Sequence, residues 1–281
     1  MSILISNSAD AAHYLKQNQQ QLQQSLKRLS SGKKITGGGE DPGGLAVAMK
    51  INASIKRLAA AESNVQNGIS FLEVQDGLLE TVGNIVTRIS ELKGLISDDP
   101  LKGTSEKASY QAEYEELVSQ FESIRNMAFN GVDLFDNENA TNTDEDLSIA
   151  IDDTGTTTID ITKSNLGHSE LDEVFYDTSG TPRNLELDTA AGVTVAEINT
   201  ALSRVATLRA ENGGALGRLQ FTAQSLSIQK NNMTSALSRI EDIDLAEETA
   251  NLAKYSIMTQ ASAAMVAQAN SQNDIALMLL S

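Results

Sequence analysis

Side chains suited to catalysis are scarce in this sequence. Among 281 residues there are two histidines, His13 and His168, and no cysteine. A zinc site needs three or four nitrogen, sulfur or carboxylate ligands converging on one point. His168 lies in "GHSELDE", which is not HExxH and offers no second histidine, so it reads as a solvent-exposed loop residue. The stretch Gly37 to Gly44, "GGGEDPGG", contains neither GxGxxG nor GxxxxGKS/T and makes no phosphate cradle. "DDTGT" and "NENATNTDED" are rich in acidic oxygens, but neither has the ligand order of an EF-hand loop, and both read as solvated turns. No serine stands in a GxSxG elbow. The expectation is a protein that is not an enzyme and holds no cofactor or metal.

The net charge of −17 favours solubility and argues against nucleic-acid binding, which needs a basic face. The charge is uneven. Residues 1–60 carry eight basic and three acidic side chains, so this part is +5 and the remainder −22. The basic part suits acidic partners, other copies of the chain included. Zero cysteine excludes disulfides and suits a life outside the reducing cell. The start "MSILISNSAD" has no basic opening or long apolar run, so no cleavable signal is visible. The runs "LAVAM" and "IALMLL" are far too short to span a bilayer.

With 40% hydrophobic but only 4% aromatic residues, the chain should pack long helices through Leu, Ile, Val and Ala. The seam Leu78, Val82, Ile85, Ile89, Leu92 and Ile96 alternates spacings of four and three, which puts all six on one helical stripe. Leu58, Val65, Leu72, Leu79 and Val86 recur every seven residues. Together they predict one helix from about Leu45 to Ile96, with Gly68, Gly77 and Gly83 marking close packing or softness. Tyr110, Tyr114, Leu117, Phe121, Ile124 and Ala128 predict a shorter helix that stops at the Asn130-Gly131 turn. From Val195 a second seam runs through Ile198, Leu202, Val205, Arg209, Asn212, Leu216, Leu219, Ala223, Leu226, Lys230, Met233, Leu237 and Ile240. So sustained a heptad predicts coiled-coil packing.

Residues 137–192 lose this periodicity. "LSIAI" and "TTIDIT" around "DDTGT" predict one β-hairpin, and "EVFY" and "NLEL" a second. Each terminus carries a narrow apolar stripe: Leu15, Leu22 and Leu29 at one end, and an Ala- and Gln-rich helix with Leu252, Met265, Leu277 and Leu280 at the other. Neither makes a core alone. The expected fold is mainly α: a long antiparallel coiled-coil bundle of N- and C-terminal regions with a small β-hairpin-rich insert. The economical cover for the stripes is each other and further copies of the chain, and a contact that does not close gives a helical filament.

The residues resemble bacterial flagellin. "LKRLSSGKKI" followed by "EDPGGLAVAMKI" is similar to that family's N-terminal signature, "NVQNGISFLEVQDGLLETVGNIVTRISEL" to its next block, and "MAFNGVDLF" to its FNG turn. "SRIEDIDLAEETANLAKYSIMTQASAAMVAQANSQNDIALMLL" is similar to its terminal signature. The resemblance covers roughly the first 136 and last 90 residues. "TGGGEDPGG" departs from the family's usual "NSAADDAAG".

The resemblance implies a subunit exported by the flagellar type III route and assembled outside the cell, at the filament tip, into a homopolymer. It implies a flagellar cap, hook-associated proteins and a cytoplasmic export chaperone as partners, with no nucleic acid and no membrane. It implies inner-tube helices at 1–36 and 243–281, a linker at 37–44, bundle regions at 45–136 and 193–242, and an outward insert at 137–192. Polymerisation would then rest on Leu15, Leu22, Leu29, Leu252, Met265, Leu277 and Leu280. The bundle seam would rest on Leu78, Ile85, Leu92, Leu219, Leu226, Met233 and Ile240. The resemblance also implies an innate-receptor contact at Arg88 and Leu92, with Gln120 aligned to the family's third contact, a Glu. The rival readings are a hook–filament junction protein, a secreted coiled-coil adhesin, and an enzyme housed in the insert.

Overall fold

The computed structural model describes residues 2–97, 103–136, 147–176, 183 and 192–278. Its elements in order are α1 Ser2–Ser31, α2 Pro42–Ser97, α3 Thr104–Arg125, β1 Ala128–Phe129, β2 Val132–Asp133, β3 Phe135–Asp136, β4 Leu147–Ala150, β5 Thr158–Ile161, β6 Ser164–Asn165, α4 Ser169–Phe175, α5 Val195–Glu241 and α6 Leu245–Met278. They form two compact units: Met1–Ile55 with Asn231–Ser281, and Lys56–Lys230.

Helix ends follow local chemistry. The Asp41 carboxylate accepts the Gly44 N–H at 2.9 Å and caps α2, with Pro42 at the first helical position. This corrects the expected linker. The helix-free stretch is 32–41, while Pro42, Gly43 and Gly44 form the first turn of α2. Thr194 and Glu197 make a reciprocal capping box at the start of α5, with bonds of 3.2 and 2.7 Å. Asp244 caps α6 by accepting the Ala246 N–H at 2.8 Å.

In the second unit α2 carries both predicted stripes inward. Leu58, Val65, Leu72, Leu79 and Val86 are buried, as are Val82, Ile85, Ile89, Leu92 and Ile96, whereas Leu78 is half-buried. Buried residues over so wide an arc mean that α2 is covered on more than one side. On α3, Tyr114, Val118, Phe121 and Ile124 face the core.

The α5 seam needs a correction. Ile198, Val205, Asn212, Leu219 and Leu226 are buried as expected, but the members between the first of them are Ala201 and Leu208. Leu202 is exposed, and Arg209 reaches out to Asp76. Two heptad stripes share every seventh residue, and the sequence leaves open which neighbour joins them. Leu216, Ala223, Met233, Leu237 and Ile240 are half-buried.

The insert follows the expectation in its first half. β4 and β5 pair antiparallel, Leu147 opposite Ile161. The expected second hairpin is overturned in its first arm, because Glu173, Val174 and Phe175 belong to α4. Tertiary contacts decide this: Phe175 stacks on Phe121 with ring centroids 3.8 Å apart, and the Tyr114 hydroxyl donates to the Val174 carbonyl at 2.6 Å. The "NLEL" arm lies outside the described residues. His168 is no loop residue but the N-cap of α4. The Asn130-Gly131 turn joins β1 to β2 with φ of 52° and 82°, as a tight hairpin turn requires. Gly68 sits where a Cβ would lie 2.4 Å from Ile149, 3.1 Å from Ile161 and 3.2 Å from Leu219, so its missing side chain lets the hairpin and α5 close on α2.

Candidate assembly surfaces

In the first unit α1 and α6 pack antiparallel. The Asn18 amide donates to the Ser262 hydroxyl at 2.9 Å, and Arg28 approaches Glu248 at 3.9 Å. Ala11, Leu15, Asn18, Leu22, Ser25 and Leu29 make the α1 stripe, spaced four and three. Its buried members are the polar Asn18 and Ser25, while Leu15, Leu22 and Leu29 are only half-buried. On α6, Leu252 is half-buried and Met265 is 64% exposed. The side chain of Leu277 and the whole of Leu280 lie outside the described residues. Tyr14, Leu26, Ile257 and Met258 also stand exposed on this pair. Two helices leave each leucine one neighbour, too little to enclose it, so the pair keeps apolar surface that a monomer in water would lose by association. Asn18 escaped the sequence reading. Its signal was present as the polar member between Leu15 and Leu22 on the same stripe.

The segment after α1 is tied to the segment after α5. The Ile243 N–H donates to the Gly32 carbonyl at 3.3 Å, and Lys33 pairs with Asp242 as an antiparallel bridge. Lys33 also forms an ion pair with Glu241. Glu40 organises the rest of the linker. It accepts from the Gln24 amide at 2.9 Å, from the Thr36 hydroxyl at 2.9 Å and from the Thr36 N–H at 3.2 Å, and lies 3.4 Å from Arg28. Partial burial opposes its charge, but these hydrogen bonds and Arg28 outweigh it and hold the carboxyl below its ordinary value. Nothing in the sequence marked Glu40, because the groups that meet it come together only once the chain doubles back.

In the second unit α5 runs antiparallel to α2. Lys230 pairs with Glu62, the Asn212 amide donates to the Leu72 carbonyl at 2.9 Å, and Arg209 grips Asp76 at 3.1 Å through two nitrogens. Asn212 and Arg209, polar intrusions in the sequence, are therefore register pins. Met233 and Ile240 contribute to the first unit instead, half-buried.

Arg88 is part-exposed and donates to Glu113 and Glu91, each at 2.7 Å. The hydrogen bond to Glu113, then that to Glu91, pushes its pKa up. The acidic residue of α3 beside Arg88 is thus Glu113. Leu92 has no exposed surface at all. Among the described residues no group of three His, Asp or Glu stands ready for a metal, and no helix is long and apolar enough to cross a membrane.

Long helices, with α1 and α6 paired and their described side chains incompletely covered, define a helical structural subunit built for association. Residues 5–140 match the family model "Bacterial flagellin N-terminal helical region", and residues 195–280 match "Bacterial flagellin C-terminal helical region". The chain is 31% identical to "Flagellin" of Bacillus subtilis (strain 168), over 95% of both chains. It is 30% identical to "Flagellar filament 30.7 kDa core protein" of Treponema maltophilum, over 94% of both. With "Flagellar filament core protein flaB2" of Brachyspira hyodysenteriae the identity is 31%, over 98% of this chain and 97% of that one. A solved structure, the crystal structure of Bacillus cereus flagellin, is similar at a TM-score of 0.48 and 24% identity, covering 62% of this chain and 94% of that one. This chain belongs to the bacterial flagellin family.

Proposed function

We propose that this chain is the structural subunit of a bacterial flagellar filament, self-assembling outside the cell to serve swimming motility. The observation that carries the reading is the α1–α6 pair, whose leucine stripe is only half-buried and whose Tyr14, Ile257 and Met265 are exposed. In a filament, neighbouring copies cover this surface. The terminal segments are then the polymerisation elements, through Leu15, Leu22, Leu29, Leu252, Met265, Leu277 and Leu280. The stretch 32–41 is the joint between the inner helices and the bundle, and the insert at 137–192 faces outward. The exposed apolar side of α6 is also what an export chaperone would hold before assembly, and cap and hook-associated proteins meet the filament ends. A receptor reading α2 would meet Arg88 and Glu113, since Leu92 is enclosed by the core of the isolated chain.

The test is electron microscopy of the purified chain after seeding with sheared filament fragments in ammonium sulfate. Filaments that grow on the seeds support the reading, and a soluble oligomer that ignores the seeds refutes it. The quantity recovered from sheared flagella then separates a bulk filament subunit from a junction protein present in traces.

A further inference from the structure

The chain carries 38 acidic and 21 basic residues, so two copies of its acidic second part repel on average, and a neutral apolar face there meets another neutral face without that cost. Two neutral faces stand among the described residues of the second unit. The outer face of α5 from Gln220 to Gln229 consists of Gln220, Phe221, Gln224, Ser225, Ile228 and Gln229, all exposed and all uncharged. Phe221 is 76% exposed and Ile228 54%, one heptad apart on one side of the helix. The cations at either end of this face are engaged within the chain: Arg218 donates to the Asp160 carbonyl at 2.6 Å, and Lys230 pairs with Glu62.

The second place is an open groove between α2 and the two hairpins. Its apolar lining includes Phe71, Phe129, Val132 and Ile149, and Asn64 and Asn67 also line it. None of its lining residues is charged. Gly68, in the groove, stands against Leu219 of α5, so groove and knob lie at one level of the unit. Phe221 of the same chain does not line the groove.

We propose that Phe221 and Ile228 of one copy dock into the α2–hairpin groove of a second copy, as a lateral contact of the filament. The occupant is a second copy because both surfaces are neutral on a strongly acidic chain. A basic partner would choose the acidic face of α3, where Glu106, Glu115, Glu116 and Glu122 are exposed. Knob and groove lie on different elements, so the contact is heterologous and can repeat along an open helical array. This inference rests on the filament reading and specifies one of its interfaces.

The absence of native cysteine makes a direct test available. Full-length Phe221→Cys and Asn67→Cys chains are co-assembled on seeds, oxidised, and run on a non-reducing gel. A disulfide requires Cα atoms within about 7 Å. The expected result is a cross-linked dimer at least about tenfold more abundant than with Phe221→Cys and Glu116→Cys, and absent from soluble monomers. Filaments whose cross-linking does not exceed that control overturn the proposal. In parallel, Phe221→Glu should raise the critical concentration for growth about tenfold or more, the equivalent of one lost contact of ordinary strength. An unchanged critical concentration overturns it too, and gives the face to another class of partner. If the wild-type chain does not grow on seeds, the filament reading itself fails, a result distinct from either.

Discussion

Glu40 gathers Thr36, Gln24 and Arg28 around one carboxylate, and this makes the linker sensitive to acid. A carboxyl held below its ordinary value stabilises the fold at pH above the unfolded-state value of about 4.3. That contribution is lost as the pH falls through the folded-state value. The Thr36 N–H donates to Glu40, so its hydrogen-exchange protection factor should fall as the pH drops through that lowered folded-state value. In a Glu40→Gln variant the protection should be low at neutral pH and change little with acid. Gly68 illustrates the opposite kind of residue, which acts by lacking atoms. Gly68→Ala must displace Ile149, Ile161 and Leu219 together, and should cost about 1–3 kcal/mol in thermal or denaturant unfolding, despite alanine's better helix propensity.

At the scale of elements, the α5 register gives a sharp contrast. Leu208 is 2% exposed and Leu202 is 42% exposed, although both lie on the same helix less than two turns apart. Leu208→Ala should destabilise the second unit by about 2–5 kcal/mol through a core cavity. Leu202→Ala should change stability by no more than about 0.5 kcal/mol in the monomer. A larger loss from Leu202→Ala than from Leu208→Ala would show that the helix presents the other heptad stripe to the core. The α3–α4 contact is held by a ring stack and by the Tyr114 hydrogen bond, with the hydroxyl fully enclosed. Burial pushes the pKa of that hydroxyl up, so it stays a donor at any physiological pH.

At the scale of the whole molecule, the two units differ in how well they are enclosed. The second has a core of fully buried Leu, Ile, Val and aromatic side chains, whereas the described side chains of α1 and α6 bury mainly Asn18, Ser25 and Glu248. Local opening should therefore concentrate in the first unit. Limited proteolysis of the soluble chain should remove α1 and α6 first and leave a fragment near Lys56–Lys230, identified by mass spectrometry. The same protease acting on assembled filaments should leave the termini intact. A monomer resistant from end to end would contradict the idea that neighbouring copies complete the first unit.

The sequence by itself determined the long helices, their apolar stripes, the Asn130-Gly131 turn and the β4–β5 hairpin. Each of these is written in spacings of two, three, four or seven residues, or in a turn dipeptide, and so is legible locally. Its motifs also carried the family. Only the tertiary structure decided that Ala201 and Leu208, rather than Leu202 and Arg209, complete the α5 seam, because two stripes sharing every seventh residue are separated by the partner helix alone. Only the structure turned "EVF" into helix, through Phe121 and Tyr114 on α3, and only it brought Lys33 to Asp242 and Glu40 to Gln24 and Arg28. Those choices depend on contact free energies between segments remote in the chain, which a local periodicity does not encode.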